Sequence, residues 1–149
     1  MSARAAIRMA DAEVAAFLDQ ERTVVCATAG RDGWPHLMPL WYVVRNGELW
    51  AWTFGRSQKV RNLERDPRCS LQVEAGTAYE ELRGVLLRCE AVLHRDLDTV
   101  AALGEDLIAR YAGVGLTADY ESAMRAQAPK RVALQFTEAG RVTWDHRKL

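Results

Sequence analysis

Two Asx-Gly pairs, Asp32-Gly33 and Asn46-Gly47, interrupt an otherwise apolar stretch and dictate how the first half of the chain folds. Tight hairpin turns need positive φ at their central positions, and such pairs supply it with little strain. The runs they separate, TVVCAT, WPHLMPLWYVV and LWAWTF, are rich in β-branched and aromatic residues. They read as three strands of an antiparallel meander. Parallel crossovers do not fit, because most of the strand connections are short.

The two-residue period returns further on. Cys69, Leu71 and Val73 alternate with Ser70, Gln72 and Glu74, giving a strand with one wet face. From Val85 to Leu93 the odd positions are apolar, while Arg88, Glu90 and His94 share the even face with Leu86 and Val92. Val132, Leu134 and Phe136 alternate, EAGR reads as a turn, and Val142 and Trp144 predict a last strand.

Helical spacing appears in four places. Val14, Phe17 and Leu18 share one face of a segment from Met9 to Gln20, and Ser57 caps a helix that Pro67 ends. Asp96 or Asp98 caps a third, striped by Val100, Leu103, Leu107, Ile108 and Tyr111 and closed by Gly113 and Gly115. A fourth starts at Thr117 and carries Tyr120 and Met124. The expected fold is mainly β with α (α+β), a small antiparallel barrel of about seven strands with peripheral helices. A length of 149 residues makes it a single domain, 1–149.

The second and third strands are apolar on both faces. Leu37, Trp41 and Val43 share one parity and Met38, Leu40, Tyr42 and Val44 the other; Trp50 and Trp52 then oppose Leu49, Ala51 and Phe54. A small barrel buries one face, so the other needs a helix, a planar ligand or a second subunit, and a two-fold homodimer would supply it. Pro35 and Pro39 each remove a backbone donor, which places this strand at an edge or at a bulge. On the strand from Val85, the stripe parity also takes in Tyr79, Glu81 and Arg83, which calls for an ion pair or for a ligand reached across a subunit boundary.

Lys plus Arg equals Asp plus Glu at 20 each, so no global field draws the chain to nucleic acid or to an anionic membrane. No apolar run is long enough to span a bilayer and no secretory pattern opens the sequence, which points to the cytoplasm. Cys26, Cys69 and Cys89 lie in apolar stretches without C-x-x-C spacing and read as core residues. His36, His94 and His146 have no ligand spacing, so no metal is expected, and hydrolase and kinase motifs are missing.

The local exception to this balance is the segment FGRSQKVRNLERDPR, where Arg56, Lys59 and Arg61 crowd the start of the Ser57-capped helix. A helix N-terminus disfavours cations by a few tenths of a kcal/mol each, about the size of a surface ion pair. A bound phosphate would reverse that sign. The alternative is a solvated basic turn, with Glu64 placed to pair with a neighbouring cation.

The segments DGWPHLMPLWYVV, GELWAWTFGRSQKVRNLERDPRCSL and AYEELRGVLLRCEAVL, together with the ending KRVALQFTEAGRVTWDHRKL, resemble the pyridoxamine 5′-phosphate oxidase-like split-barrel superfamily. Within it they are similar to the flavin- and deazaflavin-dependent oxidoreductases. The resemblance implies a homodimeric split barrel with a cofactor, F420 or alternatively FMN, in each groove between subunits. By position, Ser57, Lys59, Arg61 and Asn62 would hold the cofactor phosphate. Met38, Pro39, Leu40 and Trp41 with Trp52, Thr53 and Phe54 would line the ring, and Tyr79 and Arg83 would approach from the second subunit. The implied activity is hydride transfer between reduced deazaflavin and a small, planar unsaturated substrate. The alternatives are an FMN oxidoreductase and a non-catalytic flavin- or haem-binding protein. The long C-terminal substrate-binding segment of pyridoxamine 5′-phosphate oxidase itself is not found, so vitamin B6 oxidation is not expected. The cofactor supplies the chemistry in such enzymes, so no catalytic dyad is required of the chain.

Overall fold

A computed structural model describes residues 2–149. It contains seven antiparallel strands and five α-helices. Helices α1 (Ala3–Ala6) and α2 (Asp11–Gln20) precede strands β1 (Thr23–Ala29), β2 (Pro35–Trp41), β3 (Val43–Arg45) and β4 (Glu48–Phe54). Helix α3 (Gln58–Arg65), strands β5 (Arg68–Ala75) and β6 (Arg83–His94), helices α4 (Leu97–Tyr111) and α5 (Ala118–Gln127), and strand β7 (Arg131–Asp145) follow. No helix among the described residues is long and apolar enough to cross a membrane.

The sheet runs β2-β1-β5-β6-β7-β4-β3. Its two edges, β2 and β3, are separated in the chain by Tyr42 alone, so the sheet curls until its edges meet there and forms a split barrel. The sequence suggested one long strand at this point. Tyr42 breaks it because its amide pairs with a side chain instead of a neighbouring strand: it donates to the Tyr111 hydroxyl at 2.9 Å. That hydroxyl lies 2.9 Å from the Tyr42 carbonyl and 2.6 Å from the Arg22 carbonyl. The Tyr42 hydroxyl donates to the Leu18 carbonyl at 2.6 Å, tying the break to the end of α2, and burial pushes the pKa of this phenol up. Trp41 stacks on Tyr111 with 4.2 Å between ring centres.

The opposite correction applies at the C-terminus. The segment EAGR is no turn: β7 continues through it for 15 residues and pairs with β6 along its length. The register shifts there, Cys89 facing Glu138 and Arg88 facing Gly140, so Ala139 is the extra residue of a bulge. A bulge and a turn draw on the same small and polar residues, which is why they read alike. The strand total stays at seven because one expected strand is split and two are fused.

Asn46 and Gly47 take φ of 51° and 77°, as the β3–β4 hairpin requires. Pro35 and Pro39 sit on an edge strand with no bulge, at the same register parity opposite Ala29 and Val25. One choice of register therefore turns both missing donors to the free edge.

Two apolar clusters hold the fold. One fills the barrel, with Phe17, Val24, Leu49, Leu63, Leu71, Leu87 and Phe136 among its members. The other lies outside it, where Val100, Leu103, Leu107 and Tyr111 of α4 cover Val43 and Ala133, with Trp50 and Trp52 packed against them. Gly104 permits this contact: a Cβ there would stand 2.7 Å from the Trp52 ring. Asp96 is the helix cap, its carboxylate accepting from the Thr99 amide at 3.0 Å. The outer face of β2 and β1 has no such cover, and Leu37 is 57% exposed.

Candidate functional site

Ser57 caps α3, its hydroxyl accepting from the Val60 amide at 3.4 Å, and the helix has no acidic residue in its first turn. The Gln58 and Lys59 amides have no carbonyl a turn earlier to bond. Val60 and Leu63 bury one face as their spacing predicts, but Lys59 and Asn62 are buried beside them. Asn62 is internally satisfied: its Nδ2 donates to Thr28 Oγ1 at 3.1 Å, and its Oδ1 accepts from Gln58 Nε2 at 2.9 Å. It fastens α3 to β1.

Lys59 is different. It is 5% exposed, and its Nζ donates to a single side chain, Thr53 Oγ1 at 3.0 Å. No carboxylate among the described residues pairs with it. Burial pushes its pKa below the usual lysine value; the neighbouring Cys26 sulfur opposes that shift, and Arg131 adds to it.

Arg131 opens β7 opposite Phe54 and lies over two rings, 5.6 Å from the Trp52 centroid and 6.0 Å from that of Phe54. Its Nη2 donates to Gln127 Oε1 at 2.6 Å, while its Nε is buried with no partner among the described residues. Desolvation lowers its pKa as well. Two cations are thus held near each other, partly dehydrated and without an anion, at the entrance of a helix whose dipole repels both. Arg56 and Arg61 are exposed nearby and form no ion pair among the described residues, whereas Glu64 pairs with Arg95 at 3.3 Å. The arrangement fits a phosphate. Arg131 escaped the sequence reading because a cation at the head of a strand carries no periodic signal; only its register with Phe54 brings it to the site.

An open cleft of about 960 Å³ runs between α3 and the Gly30–Trp34 turn, lined by Trp34, Pro35, His36, Gln58, Arg61 and Asn62. Gly33 has φ of 85°, and the Asp32 carboxylate accepts from the Trp34 amide at 3.0 Å, which fixes the turn. The buried Nδ1 of His36 has no hydrogen-bond partner among the described residues. Along β2, Met38 has the parity of Cys26 and is 43% exposed, while Pro39 and Trp41 take the opposite face and Leu40 returns to the core.

The other expected site residues separate. Thr53 is buried under Lys59, and Phe54 is exposed beside Arg131. Trp52 lies beneath α4. Tyr79 and Arg83 stand toward the other end of the sheet: Arg83 begins β6, whereas α3 is fastened at Thr28, whose register through Cys69 leads to Cys89, six residues further along β6, about 20 Å at ~3.3 Å each. Within one chain they cannot meet Lys59. Glu81 and Arg83 do not pair: Arg83 lies 5.0 Å over the Phe17 ring, and Glu81 accepts from the Ala78 amide at 3.5 Å. Tyr79 packs on His146, whose Nδ1 lies 2.8 Å from the Tyr79 carbonyl. Among the described residues no three His, Cys, Asp or Glu side chains gather as metal ligands.

The chain is thus a split barrel with an open cleft between α3 and the edge strand β2, where Arg31, Arg61 and Arg65 stand among Asp32 and Glu64. The sequence pattern of the pyridoxamine 5′-phosphate oxidase family matches residues 10–143, and the chain belongs to that family. Among solved structures it is similar to the conserved hypothetical protein Rv2991 from Mycobacterium tuberculosis, with 38% identity and a TM-score of 0.87 over 99% of this chain and 92% of that one. It shares its fold with an F420 reductase, at 20% identity and a TM-score of 0.68 over 85% of this chain and 93% of that one. It also shares it with HutZ, the haem storage protein from Vibrio cholerae, at 15% identity and a TM-score of 0.70 over 91% and 96% of the two chains. No curated protein matches the sequence.

Proposed function

We propose that this chain is an F420-dependent oxidoreductase that transfers a hydride between reduced deazaflavin and a small, planar unsaturated substrate. The observation that carries this reading is the pair of partly dehydrated cations with no anion among the described residues, the buried Lys59 and the half-buried Arg131, at the N-terminus of α3. A phosphate bound there adds the missing charge, and Arg56 and Arg61 offer further cations to the acidic tail that distinguishes F420 from FMN. The fold shared with an F420 reductase is consistent with it.

The bound ring would supply the hydride chemistry, so the residues of this chain have to bind, orient and exclude water. Lys59, held against Thr53, fixes the phosphate end; Met38 and the β2 backbone border the ring; Trp34 and His36 border the open side of the cleft. His36 Nδ1, without a partner among the described residues, is available to a group bound there.

The cleft is completed by a second copy of the chain. The exposed outer face of β2 and β1, with Leu37, Pro39 and Val25, is the surface through which the homodimer forms. Tyr79 and Arg83, too far from α3 in their own subunit, then reach the cofactor of the partner. The test is turnover: reduced F420 mixed with activated unsaturated acceptors is oxidised faster in the presence of the protein. An FMN oxidoreductase would instead show flavin-dependent turnover, and a flavin- or haem-binding carrier would bind its group with no turnover.

A further inference from the structure

Arginine grips an oxyanion at two points through one edge of its guanidinium, the edge that carries Nε and Nη2. This chain does so repeatedly. Arg68, Arg125, Arg141 and Arg147 each donate from Nε and Nη2 to the two oxygens of one carboxylate, at 2.6 to 3.2 Å. On Arg131 the same edge is half used: Nη2 donates to the Gln127 amide oxygen at 2.6 Å, and the buried Nε has no partner among the described residues. A neutral amide oxygen thus stands on a donor edge that elsewhere in the chain holds a carboxylate.

Gln127 ends α5, a ten-residue helix that buries none of its residues. Met124 packs half-buried against the outer apolar cluster, and Arg125 pairs with Glu105 of α4 in solvent. A cavity of about 150 Å³, lined by Trp52, Gly104, Glu105, Arg125 and Ala128, remains between α5 and α4. A helix with so little buried surface opens at low free-energy cost. The backbone just past it is fastened: Ala128 is buried, and the Lys130 carbonyl accepts from the Gly55 amide at 2.9 Å. Arg131 therefore keeps its place over Trp52 and Phe54 when Gln127 leaves it.

We propose that Gln127 is an internal stand-in for the ligand's anion: a phosphate that takes the Nε–Nη2 edge of Arg131 displaces Gln127, and α5 loses one of its few ties. Because Nε is closed to solvent, a two-point grip on this edge requires a group now beside it to move, and Gln127 is the one bonded there. Gln127 is a positioning residue that competes with the ligand, and α5 reports whether the site is filled. Linkage makes the effect reciprocal, so removing the bond that binding breaks must favour binding. The inference rests on the anion site of the proposed function, but not on F420 or on turnover.

Deuterium exchange of the full chain is followed in inorganic phosphate and in chloride at equal ionic strength, beside a tryptophan fluorescence titration with phosphate. Phosphate is expected to speed exchange in peptides of Ala118–Gln127 about fivefold, the equivalent of one net hydrogen bond, and to leave α4 unchanged. In Gln127→Ala, α5 exchanges fast without phosphate, phosphate adds nothing further, and phosphate binds about fivefold more tightly. Gln127→Glu acts in the opposite direction: its carboxylate fills both donor positions, as in the four pairs above, and phosphate binds about tenfold more weakly. A Gln127 that only supports the fold would lower affinity in both variants. Saturable phosphate binding with unchanged or slower exchange in α5, or weaker binding by Gln127→Ala, overturns the inference and leaves the anion site standing. Absence of saturable phosphate binding removes the anion site, and this inference falls with it.

Discussion

Replacing Lys59 with methionine separates a lysine that supports the fold from one that waits for a ligand. Its ammonium is buried with one hydrogen bond, to Thr53 at 3.0 Å. In the ligand-free protein, Lys59→Met loses that bond, about 1 kcal/mol, and removes a dehydrated charge whose burial opposes folding by at least as much. Stability in urea therefore stays level or rises. The bound state behaves in the opposite way, since a charge-assisted bond to a phosphate contributes about 1 to 3 kcal/mol, and the variant binds F420 or FMN ~5- to 150-fold more weakly. The pH dependence has a defined sign. The folded-state pKa of Lys59 lies below its ordinary 10.5, so between the two values the unfolded chain holds more protons than the native one. Wild-type stability accordingly gains a component that rises with pH across that interval, and Lys59→Met lacks it. The measurements are urea melts from neutral pH to about 10 and a fluorescence titration. A variant of unchanged affinity, or one destabilised by more than about 2 kcal/mol, refutes the reasoning.

Arg131→Gln keeps a polar group over Trp52 and Phe54 but removes the second cation; affinity for phosphate-bearing cofactors falls about tenfold, read in the same titration. Tyr111→Phe leaves the Tyr42 amide without its acceptor at the barrel seam and lowers stability by about 1 to 3 kcal/mol in urea, with an unchanged m-value if the fold is retained. Leu37→Asp places a charge on the uncovered face of β2, and sedimentation shifts from twice the 16.7 kDa chain mass to a single chain. A wild-type protein that sediments as a monomer at micromolar concentration removes the shared cleft.

Much of this fold is legible in local chemistry. The Asn46-Gly47 turn, the Ser57 and Asp96 caps and the stripe from Val100 to Tyr111 are decided within a few residues, and the structure has them where the sequence puts them. What escapes is long-range. Tyr42 breaks a strand because Tyr111, remote in sequence, offers its amide a hydroxyl. The run EAGR is a bulge in place of a turn because β6 remains beside it. The same division holds at the site. Lys59, Arg61 and the α3 N-terminus are visible as an excess of charge over what a helix start tolerates. Arg131 is visible only once β4 and β7 are paired, and Tyr79 and Arg83 are separated from α3 by about half the length of β6.

The most direct test of the central claim is a titration of the ligand-free protein with F420 and, separately, FMN, followed by the fluorescence of its five tryptophans. Our account predicts saturable binding of both through the phosphate, with F420 the tighter because of its acidic tail, and competition by inorganic phosphate. Absence of a saturable change with either cofactor, or binding indifferent to phosphate, contradicts it.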